Sequence, residues 1–203
     1  MTDLAAPPVP PDPPLGSVPP TPAPTRHTAR WVGVFILVIA AGLIAVLATR
    51  PSAQVSEVQS PLVGHQTPRI SGVTVDGASF SVPPVPGRFV VVNFFASWCV
   101  PCQTEGPNLV QFAFEHQQSG DAQLVSVVFN DTTSAARAYQ EKLGTTWPTL
   151  ADPGGDLALS FGVRAPPSTF LIAPDGRVVA YIVAPVTAAD LDQLITRAKA
   201  SGA

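Results

Sequence analysis

Two cysteines are all that this chain of 203 residues contains, and they stand three positions apart, at 99 and 102. A structural zinc centre needs about four nitrogen or sulfur ligands. With no second Cys-x-x-Cys, and with His65 and His116 at unrelated spacings, the chain supplies no such set. Charge is scarce as well: Asp, Glu, Lys and Arg make up 12% of the residues, 11 basic against 14 acidic. That balance has neither the basic footprint of a nucleic-acid binder nor the excess acidity of a disordered solvating chain. There is no glycine-rich phosphate loop, and Ser168 and Thr169 have no histidine partner for serine-type catalysis. Asp152 and Asp156, in "ADPGGD", read as turn and cap residues and not as metal ligands. No metal, bound cofactor or nucleic-acid partner is expected.

The first 30 residues have no aromatic side chain and few large apolar ones, but hold ten of the 24 prolines. Such a composition cannot bury a core, so residues 1–30 are expected to be a disordered tail. From 31 to 48, "WVGVFILVIAAGLIAVLA", it is charge that is missing: 18 consecutive residues carry none. A helix needs roughly 20 apolar residues to cross a bilayer, and 31–48 is expected to be a transmembrane anchor. Arg26 and Arg30 precede it and Arg50 follows, a bias that places the tail in the cytoplasm and the rest outside the plasma membrane. A cleaved signal peptide is the competing reading. Residues 49–68 show no sustained period and are expected to be a linker; residues 69–203 carry the patterning of a folded domain.

Within that domain, 70–82 alternates apolar and small polar residues about Asp76-Gly77, which predicts a hairpin. The continuous apolar run 89–95 predicts a strand covered on both faces. A helix follows the cysteines and ends near Gly120, with Leu109, Phe112 and Phe114 as its expected buried face. A second strand is expected over 122–130, a capped helix over 131–144 closed by Gly144, and a hairpin over 168–183 about Pro174-Asp175-Gly176. The last element, 187–200, opens with Thr187 followed by Asp190 and places Leu191, Leu194 and Ile195 on one face of a helix. Strand, helix, strand, helix, hairpin, helix implies an α/β fold, a mixed sheet with helices on both faces.

A disulfide closing so short a loop removes little chain entropy, and neighbouring inert thiols would be paired under oxidising conditions outside the membrane. A redox-active dithiol is the reading the spacing favours. Cys99 stands where a buried strand ends and a helix begins, so backbone N–H groups and the helix dipole favour its thiolate. Cys102, one turn on, is within reach to resolve a mixed disulfide formed at Cys99. Pro101 occupies the first helical turn, where its missing N–H costs no bond.

"VVNFFASWCVPC" and "GVRAPPSTFLIAPDGRVV" together resemble the thioredoxin superfamily, and more narrowly its membrane-anchored TlpA-like and ResA-like thiol-disulfide oxidoreductases of cytochrome c biogenesis. Trp98, Cys99, Pro101, Cys102, Glu105, Pro107 and Leu109 match W-C-x-P-C-x-x-E-x-P-x-L, and the likeness spans about residues 65–200. It implies a thioredoxin-like fold after the N-terminal hairpin and anchor. It also implies a protein-disulfide reductase acting on partners such as the haem-site cysteines of apocytochrome c, fed by a membrane thiol-electron transporter. An oxidase donating its disulfide to folding proteins and a non-catalytic tethered binding module are the alternatives.

By the same resemblance Glu105 is a buried carboxyl that handles protons at the dithiol, and Pro167 is a cis-proline that offers a backbone edge to substrate. Trp98 is expected to cover the disulfide. Two positions depart from the pattern. Val100 stands where the narrower group has an acidic residue, and Pro166 lacks the N–H that the residue before the cis-proline normally offers. Asn93 replaces the buried Asp of cytoplasmic thioredoxins, which leaves Glu105 as the expected carboxylate near the dithiol.

Overall fold

The structure, a computed structural model, describes residues 26–48, 57–82 and 87–202. The chain divides into two compact units, Met1–Ser52 and Ala53–Ala203. In the first, helix α1 covers Arg26–Ala48. The expected tail lies outside the described residues up to residue 25. The expected anchor over 31–48 is helical along its length. Among the described residues no helix is long and apolar enough to cross a membrane.

The second unit is built around strand β3 (Phe89–Phe95), in which all seven residues are buried. The side chains alternate across the sheet. Phe89 and Val91 face one core cluster, with Leu109, Phe112, Leu191, Leu194 and Ile195. Val90, Val92 and Phe94 face the other, with Leu150, Phe161, Phe170 and Tyr181. A strand covered on both faces explains the unbroken apolar run. β3 pairs in parallel with β4 (Ala122–Val128) and antiparallel with β6 (Ser168–Ile172). Outside these lie β5 (Thr149–Leu150), parallel to β4, and β7 (Val178–Ile182), antiparallel to β6. The order is β5-β4-β3-β6-β7.

Helices α2 (Val100–Ser119) and α5 (Ala188–Ala200) supply the first cluster; the short α4 (Asp156–Phe161) supplies the second. Helix α3 (Thr133–Leu143) packs Ala136 and Tyr139 into a third cluster around the cysteines. The ends follow the sequence closely. Gly120 and Gly144 close α2 and α3 in the left-handed conformation that glycine adopts without strain. Thr187 and Asp190 form a reciprocal capping box on α5. Across the second cluster, Phe170 stacks on Tyr181 at 4.2 Å and meets Phe161 edge-on at 5.0 Å. Each such pair stabilises by about 0.5–1.5 kcal/mol beyond simple burial, and together they anchor the start of β6.

The hairpin forms as expected, β1 (Ser71–Val73) against β2 (Ser79–Ser81), with Gly77 at φ +88 in its turn. It does not stand apart from the sheet. Val75 N donates to Thr149 O and Ala151 N to Val73 O, both at 2.9 Å, so the hairpin borders β5. The stretch expected to be a linker is likewise held, over 57–67, along the opposite edge. Val58 N donates to Tyr181 O, Gly64 N to Val178 O and Thr67 N to Gly176 O, all at 2.8 Å.

Other expectations require correction. β5 and α4 were not foreseen, because a two-residue strand and a six-residue helix carry no readable period. Phe114 is 63% exposed and not part of the buried face. Two residues beyond Phe112, it is turned some 200° around the helix, while Leu109 and Phe112, three apart, share the inner face.

Candidate active site

β3 ends at Phe95, and Cys99 N closes a turn onto Ala96 O at 3.2 Å. Cys99 is then the N-cap of α2, in an extended conformation at φ −80 and ψ 106. Its sulfur accepts from the backbone N of Cys102 at 3.2 Å, so an otherwise orphan donor of the first turn points at Sγ. Pro101 lies in that turn, where a donor is not needed. The cysteines are joined as a disulfide with Cα atoms 5.2 Å apart, and are 4% and 2% exposed.

The topology brings further loops to this end of the sheet. In the antiparallel pairing of β3 with β6, Phe94 lies opposite Ser168. The exit of β3 and the entry to β6 therefore share one end, which places Pro166 and Pro167 beside the cysteine loop. The Pro166–Pro167 peptide is cis. Pro167 is buried and Pro166 half-buried.

β4, parallel to β3, also exits here. Asn130, at φ +46, accepts from the Trp98 indole N–H at 3.1 Å. Asp131 accepts from Ser97 N at 2.7 Å, and the amide of Gln103 donates to Ser97 O at 2.7 Å. Trp98 remains 55% exposed, so it presents an apolar face at the surface instead of filling the core. Val100, also exposed, is next to it on the far side of Cys99.

Glu105 is 1% exposed, so it is a buried carboxyl and not a solvated charge on the helix surface. Its carboxylate accepts from Asn93 Nδ2 at 3.3 Å and from Val186 N at 3.2 Å. Asn93 Nδ2 also donates to Thr169 Oγ1 at 3.0 Å, which ties β3, β6 and α2 together. Burial raises the Glu105 pKa to about 7, and the two hydrogen bonds only partly offset it. Glu105 is three positions beyond Cys102, so both side chains lie on one face of α2. A carboxyl group that titrates near neutrality beside a thiol can take and return its proton.

Contrary to expectation, Glu105 is not the lone carboxylate at this end of the sheet, since Asp131 accepts from Ser97 N in the cysteine loop. Sequence reasoning read Asp131 as the start of a capped helix; Thr132 is the cap, and Asp131 turns back to the cysteine loop. Nothing local signals that contact between residues 34 apart in the chain. The partnership of Val186 with Glu105 across 81 positions is equally silent in the sequence. Among the described residues no cluster of His, Cys, Asp and Glu fits a metal ion. A cavity of about 510 Å³, lined by Gln66, Arg69, Arg88 and Gly176 among others, lies at the other end of the sheet, away from the thiol chemistry.

Residues 62–195 match the Redoxin family. The thiol:disulfide interchange protein HelX of Rhodobacter capsulatus is 30% identical over 152 residues, covering 73% of this chain and 81% of its own. The thiol-disulfide oxidoreductase ResA of Bacillus cereus is 25% identical over 164 residues, 81% of this chain and 93% of its own. Among solved structures, a thioredoxin-family thiol:disulfide interchange protein of Chlorobium tepidum superposes with a TM-score of 0.60 at 30% identity, over 70% of this chain and 99% of that one. With its Cys99–Cys102 pair in a thioredoxin-like α/β fold, the chain belongs to the Redoxin family and is a thiol-disulfide oxidoreductase of the ResA, HelX and DsbE type.

Proposed function

We propose that this protein is a membrane-anchored, extracytoplasmic reductant of protein disulfides, in which Cys99 attacks, Cys102 resolves and Glu105 manages the proton of Cys102. The observation that carries the reading is the buried Glu105 carboxyl, raised to about 7 and one turn from Cys102. In the reduced enzyme, the Cys99 thiolate attacks one sulfur of a substrate disulfide and expels the other as a thiolate. Glu105, ionised for a large part of the time near neutrality, accepts the Cys102 proton. The resulting thiolate then attacks Cys99 Sγ, which releases the second substrate sulfur and closes the enzyme disulfide. Two electrons pass to the substrate, and its thiolates take protons from solvent or from Glu105.

The exposed Trp98 and the loop at Pro166 and Pro167 flank this centre and are its proposed docking surface. The uncharged run 31–48 is the proposed anchor, which places the domain where oxidised protein thiols arise. The resemblance to cytochrome c biogenesis proteins supports apocytochrome c haem-site cysteines as substrates and a membrane thiol-electron transporter as donor.

Equilibrating the Cys99/Cys102 couple of the full chain with thiol buffers tests the direction of flow. A potential near or below roughly −220 mV supports a reductant; one near about −120 mV overturns it in favour of a disulfide donor.

A further inference from the structure

Gly106 occupies the interior of α2, where glycine is an unfavourable choice compared with alanine. The reason lies across the helix interface. A Cβ at this position would stand 2.6 Å from the Tyr139 hydroxyl and 3.0 and 3.1 Å from the two methyl carbons of Leu143. Glycine thus leaves a notch into which α3 sinks. The Tyr139 hydroxyl, seated in it, donates to the carbonyl oxygen of Cys102 at 3.2 Å. The ring behind it packs against Phe95, with centroids 5.7 Å apart, and joins the cluster around the two cysteines. Burial, with the nearby Glu105 charge, raises the Tyr139 pKa, which keeps the hydroxyl a donor.

We infer that Tyr139 is a positioning residue for the resolving step: lodged in the notch at Gly106, it holds the main chain of Cys102 when the disulfide no longer does. The inference rests on the assignment of Cys99 as attacker and Cys102 as resolver. In the disulfide state the sulfur bridge fixes residue 102 with respect to residue 99. In the mixed disulfide that bridge is absent, because Cys99 is bonded to the substrate. Resolution then requires Cys102 to attack Cys99 Sγ: the Cys99–Cys102 bond forms, the Cys99–substrate bond breaks, and the electron pair leaves on the substrate thiolate. The hydroxyl contact is made to the carbonyl oxygen of Cys102 and to neither sulfur, so loss of the sulfur bridge does not itself break it, and it holds one partner of that attack in place. The first attack, by Cys99, does not use it.

The two steps are separable by experiment. In a Cys102→Ser background, the rate of mixed-disulfide formation with a disulfide-bonded peptide reports attack alone. In the otherwise wild-type chain, the decay of that adduct reports resolution. Tyr139→Phe is expected to slow resolution about fivefold, the size of one hydrogen bond, and to leave attack within twofold. Gly106→Ala, which displaces the hydroxyl, is expected to produce the same selective loss. The double variant is expected to resolve no more slowly than the slower single variant, since both act on one contact. Equal slowing of both steps, unaltered resolution, or additive losses would each overturn the inference. Failure of the underlying assignment shows separately: no adduct would be trapped at Cys99 in the Cys102→Ser chain, and the step assigned to Tyr139 would not exist.

Discussion

Asn93, in the middle of β3, and Glu105, in the second turn of α2, meet side chain to side chain at 3.3 Å, each only 1% exposed. An amide donating to a carboxyl group in a dry interior helps the ionised form, but burial dominates, and the carboxyl titrates near neutrality. One helical turn beyond Cys102 there is therefore a carboxyl group whose charge changes near neutral pH.

That arrangement has a stability signature. The folded Glu105 pKa of about 7 lies above the ordinary 4.5, so the folded chain retains a proton that the unfolded chain has released. Stability from this group is full below about pH 4.5 and is lost as pH rises toward 7, by roughly 3 kcal/mol in all. Glu105→Gln is expected to match the wild type near pH 4 and to become progressively the more stable of the two up to pH 8. Chemical denaturation of both oxidised proteins across that range measures it; a difference constant with pH contradicts it.

Asn93→Ala removes a donor that lowers the Glu105 pKa. The midpoint of the pH dependence of resolution is expected to move upward from about 7. The variant also strands Thr169, its other partner, so a loss of about 1–3 kcal/mol in stability is expected from the broken buried network. Adduct decay followed against pH gives the first quantity, and denaturation the second.

His116 lies near the opposite end of α2 from the cysteines, with Nδ1 at 2.7 Å from Asp121 and Nε2 at 2.8 Å from Asp192. Desolvation would lower its pKa, but the hydrogen bonds to the two carboxylates outweigh it and the net shift is upward. Asp121 is shifted well below its usual range by hydrogen bonds from Ser119, Lys199 and His116. The imidazolium contribution is full below the unfolded value near 6.5 and is lost as pH rises through the folded one; the Asp121 contribution is lost as pH falls below about 3.8. His116→Gln is thus expected to be most destabilising between roughly pH 4 and 6.5 and less so at pH 9. Thermal unfolding at the three pH values checks the order.

Pro166 has no backbone N–H to offer a docked chain. Pro166→Val restores one at the entry to β6. Reduction of several unrelated protein disulfides is expected to accelerate by a few fold through a lower KM, with a small disulfide unaffected. Unaltered KM across the protein substrates would show that this backbone position does not contact them.

What was readable in advance was whatever depends on neighbours in sequence. The cysteine spacing, Gly120 and Gly144 as helix stops, the Thr187–Asp190 box and the hairpin at Gly77 all act within a few residues of themselves. A mixed sheet with helices on both faces followed from alternating strands and helices; the strand order, with the two-residue β5 at one border, did not. What escaped depends on tertiary partners. Gly106 looks like an interruption of a helix until Tyr139 is set against it, and Asp131 looks like a cap until Ser97 is found above it. The stretch 57–67 has no period because it follows an edge by irregular bridges and not by a regular ladder. The burial of Glu105 was expected from a resemblance; of its two donors, Asn93 is near in the chain, but Val186 stands 81 positions away.

Both borders of the five-stranded sheet are occupied, one by the hairpin against β5 and the other by residues 57–67 against β7. A bare strand border is a template on which any extended chain can zip. Under the proposed function the substrates are protein disulfides, and an incompletely folded substrate is such a chain. With both borders paired, a chain of that kind would find no strand edge to join there; under the proposed function it would be held only at the loops around Cys99, and breakage of a single sulfur bond would set it free.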